Sequence, residues 1–395
     1  MPTTLDEVRT IVRSCQKLRV LGTRHSFNRI ADSTEDLISL QHLNKIESVD
    51  LKHNKVTVQG GMTYSELCPQ LHALGFALHN LASLPHISIA GACATATHGS
   101  GLTNGNLATA VSALEVVGAD GNVVEFSPKH RGAEFNGAVV SLGGLGVVIR
   151  LQLDIQPTYD VEQCVYQDLS FDDVCKHFGQ IMRRGYSVSL FTDWSSARTV
   201  DVWVKRIDGK PRFSSTLYGA TRATKTLPPI KHLSAENCTT HGIKGPWHQR
   251  LPHFRPECTP SAGNELQSEY FVDYNRAVKA LKIVANMSDM INPLLYVCEV
   301  RTIKADNLWM SPCYRKTCVG IHFTWRKNEV EVIKVLRVLE DKLKRHRPRP
   351  HWGKLFEMSP RRVRARYGKR QAFNRLLKKY DPGEKFRNQY LVKYA

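Results

Sequence analysis

Leu5, Val8, Ile11 and Val12 recur at the spacing of one helix face, and the apolar run Leu18, Val20, Leu21 that follows stops at Gly22, as a strand entering a turn does. Short apolar runs over 37–40 and 56–58 predict two further strands, the second closed by Gly60-Gly61. Tyr64, Leu67, Leu71 and Leu74 mark a helix face that ends near Gly75. Alternating or apolar runs over 112–117, 123–126 and 147–155 add strands. The first part of the chain therefore reads as α+β, with many short strands.

Past Pro157 the texture changes. Strands are expected over 161–166, 188–191, 200–204, 294–301 and 319–325, and a Pro- and Gly-punctuated stretch over 228–260 reads as long connecting loops. Val332, Ile333, Val335, Leu336, Leu339 and Leu343 form the apolar stripe of an amphipathic helix. A second domain of packed sheet and helices follows from this pattern. No internal repeat or low-complexity tract interrupts it.

Composition narrows the picture. The 395 residues, 42% of them hydrophobic, exclude disorder of the whole chain, and at roughly 150 residues per domain they suggest two or three domains. The uncharged stretch between Glu134 and Arg150 is glycine-broken and shorter than the ~18 residues a membrane span needs. With no basic and apolar leader at the N-terminus and no address at the C-terminus, a soluble, cytoplasmic, monomeric protein is expected. Ten cysteines lack the spacing of a disulfide framework, and Cys313 with Cys318 has the wrong spacing for a zinc knuckle, so buried reduced thiols and no metal site are expected. The net charge of +19 is concentrated in the acid-free run 361–379. Only Tyr367 and Phe373 interleave with it, too few for base stacking. A solvated basic helical surface is the expected reading, with a weak polyanion contact left open and no specific nucleic-acid partner.

The chemistry concentrates in three glycine-rich segments: Leu21-Gly22-Thr23-Arg24-His25-Ser26-Phe27-Asn28, the run from Ser83 through Ser88, Gly91, Thr95, Thr97 and His98 to Gly99-Ser100-Gly101, and Ser141-Leu142-Gly143-Gly144-Leu145-Gly146. Small residues let backbone amides approach a phosphate, and hydroxyls add donors, so the composition suits a pyrophosphate. No Gly-x-Gly-x-x-Gly opens a strand–helix unit, so a nicotinamide-type site is unsupported. Taken alone, such segments fit ligand-free tight turns equally well. Farther on, Glu299 and Arg301 stand two apart on a predicted strand and so share a face, which suits either a polar pocket or a cross-strand ion pair.

Together with Gly245-Pro246-Trp247-His248, Leu251-Pro252-His253-Phe254-Arg255, Cys298-Glu299-Val300-Arg301-Thr302, His322-Phe323-Thr324-Trp325 and His351-Trp352-Gly353-Lys354, these segments resemble the vanillyl-alcohol-oxidase-like flavoproteins. Within that superfamily the sequence is most similar to the branch that oxidises sugar alcohols of the xylitol or sorbitol type. The resemblance implies a PCMH-like FAD-binding domain over 1–157, completed by 362–395, and a cap domain over 158–361. It implies FAD joined covalently through His25, with Gly22, Thr23, Arg24, Ser26, Ser83, Ser88, Gly91, Thr95, Thr97, His98, Gly99, Ser100, Gly146 and Val148 around the cofactor. Glu299, Arg301 and Lys354 would be catalytic, and Ser83, Gln267, Thr324, His322 and His351 would line the substrate pocket. In the implied reaction a terminal hydroxyl is oxidised by hydride transfer to flavin N5, and oxygen then gives peroxide. Arg301 and Lys354 would stabilise the alkoxide, with Glu299 fixing both cations and Lys354 a candidate proton acceptor. Aldonolactone oxidases or dehydrogenases are the nearest alternative, and a non-catalytic polyanion-binding flavoprotein is the more distant one.

Overall fold

The short strands of the first part pair with one another. Ile46–Asp50, Lys55–Gln59, Val147–Asp154, Val111–Val117 and Val123–Phe126 form a five-stranded antiparallel sheet in that spatial order. Gly60 follows the second of these strands because a Cβ there would lie 2.0 Å from the carbonyl oxygen of Val148, a clash with rigid backbone. Leu18–Val20 pairs in parallel with Asp36–Ile38, and the helices Leu5–Ser14 and Tyr64–Ala73 form where predicted, the second burying Tyr64, Leu67 and Leu71 while Leu74, expected on the same face, caps the helix and is exposed. In this computed structural model every residue is described except 196–198, 209–211, 231–232 and 256–263.

The later strands build a ten-stranded antiparallel sheet, centred on Ser187–Thr192, Leu295–Ile303, Cys318–Arg326 and Glu265–Asp273. The helices Phe171–Met182, Ala277–Ala285 and Glu329–Lys342 cover one face, with Leu281, Val284, Leu336 and Leu339 in the same buried cluster as Tyr270, Val300, Ile321 and Phe323. The opposite face is polar at its centre and looks into a cleft. An antiparallel sheet with helices on one side leaves its other face free for such a site.

The C-terminal residues return to the first sheet. Phe386 packs among Val8, Val12, Val117 and Val147, and the Leu18 N–H donates to the Lys385 carbonyl at 3.0 Å. The basic run forms two helices, Pro360–Arg364 and Arg370–Tyr380. Tyr367 and Phe373, the two aromatics interleaved with it, are 3% and 0% exposed and so are packed inside. Within the expected loop region the chain forms the short strand Gly245–Pro246 and the helix Trp247–Arg250, while 231–232 and 256–260 lie outside the described residues. Among the described residues no helix is long and apolar enough to cross a membrane, and no disulfide joins the described cysteines.

Candidate active site

Sheet register assembles the polar centre. Glu269 lies opposite His322, which lies opposite Glu299, which lies opposite Phe191, so one row crosses four strands. Two residues along, on the same face, Gln267 lies opposite Thr324 and Thr324 opposite Val297. In the other direction Arg301 pairs with Gly320. A Cβ at Gly320 would meet Glu269 Oε1 at 2.9 Å, so the glycine leaves room for that carboxylate to lean toward Arg301. The Arg301 guanidinium donates to Glu269 Oε1 at 3.2 Å through NH2, and its Nε lies 3.5 Å from Glu299 Oε2. Lys354, on the loop after Trp352-Gly353, donates to Glu269 Oε2 at 2.7 Å.

The glycine-rich segments form the facing wall. Asn28 ties the histidine segment to the lysine segment, its amide donating to the carbonyls of Trp352 at 2.8 Å and Lys354 at 2.7 Å. The Phe27 N–H adds a bond to the Gly353 carbonyl at 2.7 Å. His25 thus stands near Lys354, its ring open to the cleft. Ser88 lies between two glycines, and a Cβ on Gly22 or Gly91 would sit 2.7 or 2.8 Å from its hydroxyl oxygen. This stretch of wall is therefore cut back to backbone and one hydroxyl, as close approach of a pyrophosphate requires. Between wall and sheet runs a cleft of about 690 Å³, inside the roughly 300–1,000 Å³ range of ligand clefts.

Charge in the cleft is balanced. Burial alone would raise the pKa of Glu269, but Lys354, His98 and Arg301 hold it well below the ordinary carboxylate range. Burial likewise opposes ionisation of Glu299, and Arg301 with His253 overrides it in the same direction. Arg301 is raised despite desolvation, because both carboxylates face it. Lys354 is lowered, since desolvation with Arg301 outweighs the pull of Glu269. Desolvation, with Lys354 adding, also lowers His322 and His351 well below the usual imidazole value and His25 to about 4. The neutral His25 ring keeps a free lone pair, the form a nucleophilic imidazole needs.

Of the residues singled out in the sequence, Glu299, Arg301, Lys354, Ser83, Gln267, Thr324, His322 and His351 all line this cleft. So do Gly22, Thr23, Arg24, His25, Ser26, Ser88, Gly91, Thr95, Thr97 and His98. Arg24 adopts a left-handed φ of 59°, turning the chain just before His25. Gly99, Ser100, Gly146 and Val148 lie outside the lining: the Ser100 hydroxyl bonds the Val188 carbonyl, and Gly146 abuts the Val117 backbone. Glu299 had been expected to fix both cations; it lies beside Arg301, whereas the carboxylate that holds Lys354 is Glu269. Sequence reasoning gave Glu269 no role, although it belongs to the segment 265–270 that carries part of the resemblance and stands two residues from Gln267, so that alternation places both on one face. It also passed over His253, which donates to Glu299 Oε1 at 2.7 Å from a loop with no periodic signal.

Comparison with known proteins gives the family. Residues 1–127 match a family model described as FAD binding domain, and residues 225–394 match one described as D-arabinono-1,4-lactone oxidase. Fold and cleft are those of an FAD-binding oxidoreductase of the vanillyl-alcohol-oxidase-like group. The chain is 45% identical over 99% of its length, and 94% of the relative's, to alditol oxidase of Streptomyces sp. (strain IKD472 / FERM P-14339), and it belongs to that family. L-gulonolactone oxidase of Bos taurus is 25% identical over 99% of this chain and 93% of its own. L-gulono-1,4-lactone dehydrogenase of Mycobacterium tuberculosis (strain ATCC 25618 / H37Rv) is 27% identical over 98% and 92%. A solvent-stable cholesterol oxidase superposes with a TM-score of 0.81 over 100% of this chain and 94% of its own at 13% identity, a likeness of fold alone.

Proposed function

We propose that the protein oxidises the terminal hydroxyl of a sugar alcohol of the xylitol or sorbitol type to the aldose, using FAD attached through His25. One observation carries the reading: two cations and two carboxylates, backed by Gln267 and Thr324, line one cleft together with the His25 imidazole. A polyol offers only hydroxyls, each both donor and acceptor, and a wall of mixed charge can serve every one of them. The Gly22–Ser88–Gly91 cradle suits the pyrophosphate, with Thr95 and Thr97 as further donors. FAD held there would supply the hydride acceptor and the route of the two electrons to oxygen, which would leave as hydrogen peroxide.

The side chains do the rest. Gln267, Thr324 and Ser83 hold the distal hydroxyls, and Glu299 accepts from one nearer the reacting carbon. Arg301 and Lys354 face the oxygen on which negative charge develops. Glu269 holds the Lys354 ammonium beside that oxygen; only the neutral form of Lys354, which burial and Arg301 favour, accepts the hydroxyl proton, and the ammonium so formed stays paired with Glu269. Residues 1–157 with 362–395 would form the flavin-binding unit and 158–361 the cap, a division supported by the packing of Phe386 against Val8 and Val147. The absence of a disulfide among the described cysteines suits a reducing, cytoplasmic setting.

The test is peroxide release and oxygen uptake by the purified yellow protein, offered a panel of alditols and aldonolactones. Turnover of xylitol or sorbitol supports the proposal. Turnover of gulono- or galactono-1,4-lactone alone would assign the site to the lactone-oxidising relatives instead.

A further inference from the structure

Lys205 lies on the strand Thr199–Ile207 and is 1% exposed. Its ammonium donates to three successive backbone carbonyls, those of Arg250 at 2.8 Å, Leu251 at 2.6 Å and Pro252 at 2.8 Å. All three donors are spent on the C-terminal end of the helix Trp247–Arg250 and the two residues after it, and among the described residues none meets a carboxylate. Burying an ammonium this way is costly, and a methionine of similar length would fill the same space without charge. Burial, opposed in part by the field of Glu299, lowers its pKa to about 7.

The clamped loop leads directly to His253. Nε2 of that ring donates to Glu299 Oε1 at 2.7 Å, and its backbone N–H donates to the Ser83 carbonyl at 3.3 Å. Nδ1 is buried without a partner, and the ring stands edge-on to Phe191 and Trp203, with centroids 5.3 and 5.4 Å away. Among the described residues the single polar contact of the imidazole is therefore the one to Glu299. Thr239 braces the same turn, its hydroxyl donating to the Pro252 carbonyl and its N–H to that of His253 at 3.0 Å.

We infer that Lys205 is a positioning residue for the oxidation: by clamping 250–252 it fixes His253, and through His253 the direction of the Glu299 carboxylate. This rests on the proposed role of Glu299 in holding a substrate hydroxyl. Lys205 itself touches neither substrate nor cofactor in this scheme. Its influence reaches the cleft through one loop and one hydrogen bond.

A double-mutant cycle on the holoenzyme tests the chain of contacts. Lys205→Met in the wild-type background is expected to lower kcat/KM for xylitol about 30-fold, whereas in the Glu299→Gln background it costs no more than about threefold. His253→Phe, which leaves the clamp intact, is expected to show the same coupling to Glu299→Gln and stands in for Lys205→Met should that variant not fold. Equal losses in both backgrounds, or a His253→Phe enzyme within about threefold of wild type, would overturn the inference. Wild-type turnover of xylitol is read first. Its absence counts against the polyol reading alone, and the cycle is then run with whichever alcohol or lactone reduces the wild-type flavin.

Discussion

Replacing Glu269 with glutamine removes one negative charge from the middle of the cleft at almost constant volume. The carboxylate is 0% exposed, takes the Lys354 ammonium at 2.7 Å and the Arg301 guanidinium at 3.2 Å, and lies 3.0 Å from His98 Nε2. An amide offers one oxygen in place of two, so one of the two cations faces an NH₂ group. Breaking a buried ion pair from one side costs about 3–5 kcal/mol, and the retained oxygen puts this change at the lower end. If about 3 kcal/mol is lost from transition-state stabilisation, flavin reduction slows by about 100-fold at 1.36 kcal/mol per decade. The pH profile should move as well. Burial and Arg301 lower the Lys354 pKa while Glu269 raises it, so the variant lysine deprotonates at lower pH, and the limb it controls shifts to the acid side. Anaerobic stopped-flow reduction by xylitol across a pH series measures both quantities. A Glu269→Gln enzyme reduced within about threefold of wild type, with an unmoved profile, would refute the reasoning.

Gly22→Val and Gly91→Val place side chains against the Ser88 hydroxyl, and both should fold yet lose flavin, as the ratio of visible to protein absorbance will show. His25→Ala should release its flavin into the supernatant on acid precipitation, whereas the wild-type pellet stays yellow. Gly320→Ala should push the Glu269 carboxylate off Arg301 and reproduce part of the Glu269→Gln defect, about tenfold in reduction rate. Acid should weaken the fold in two stages. The folded pKa values of His98, His253, His322 and His351 lie below 6.5, so as pH falls below 6.5 the unfolded chain binds protons that the native protein does not. Each histidine then costs about 1.4 kcal/mol per pH unit within its window. Glu269 and Glu299, depressed below 4.5, add their losses only under that value. Denaturant midpoints at about pH 7.5 and about pH 5.5 should differ accordingly, and equal midpoints would contradict the assignment of neutral histidines.

The parts of the fold that announce themselves in the sequence are those with one wet face. Val56 and Val58 alternate with polar neighbours, and the strand Lys55–Gln59 appears where the pattern places it. Glu299 and Arg301 were legible as a pair because two residues on a strand share a side. Glu265–Asp273 gave no such signal: most of it is buried on both faces, one against helices and the other against the cleft, so the alternation of Gln267, Ser268, Glu269 and Tyr270 looks like ordinary polar sequence. Its partners His98, Arg301 and Lys354 are 171, 32 and 85 residues away from Glu269 in the chain, and only the fold unites them. Lys205 was invisible for a related reason. The apolar run stops at Val204, and a lysine at a strand end reads as solvated until the loop 250–252 closes over it. The basic run was legible as helical, and Tyr367 and Phe373, judged too few for base stacking, are core residues of the C-terminal helices and their junction.

The most direct test of the account is anaerobic mixing of xylitol with the wild-type holoprotein and with Lys354→Met, following the visible flavin band. Bleaching of the wild type, with a variant that keeps its tethered flavin but bleaches at least about 100-fold more slowly, is the predicted result. A wild-type band left unchanged by xylitol and sorbitol, or a Lys354→Met protein that bleaches as fast as wild type, would contradict it.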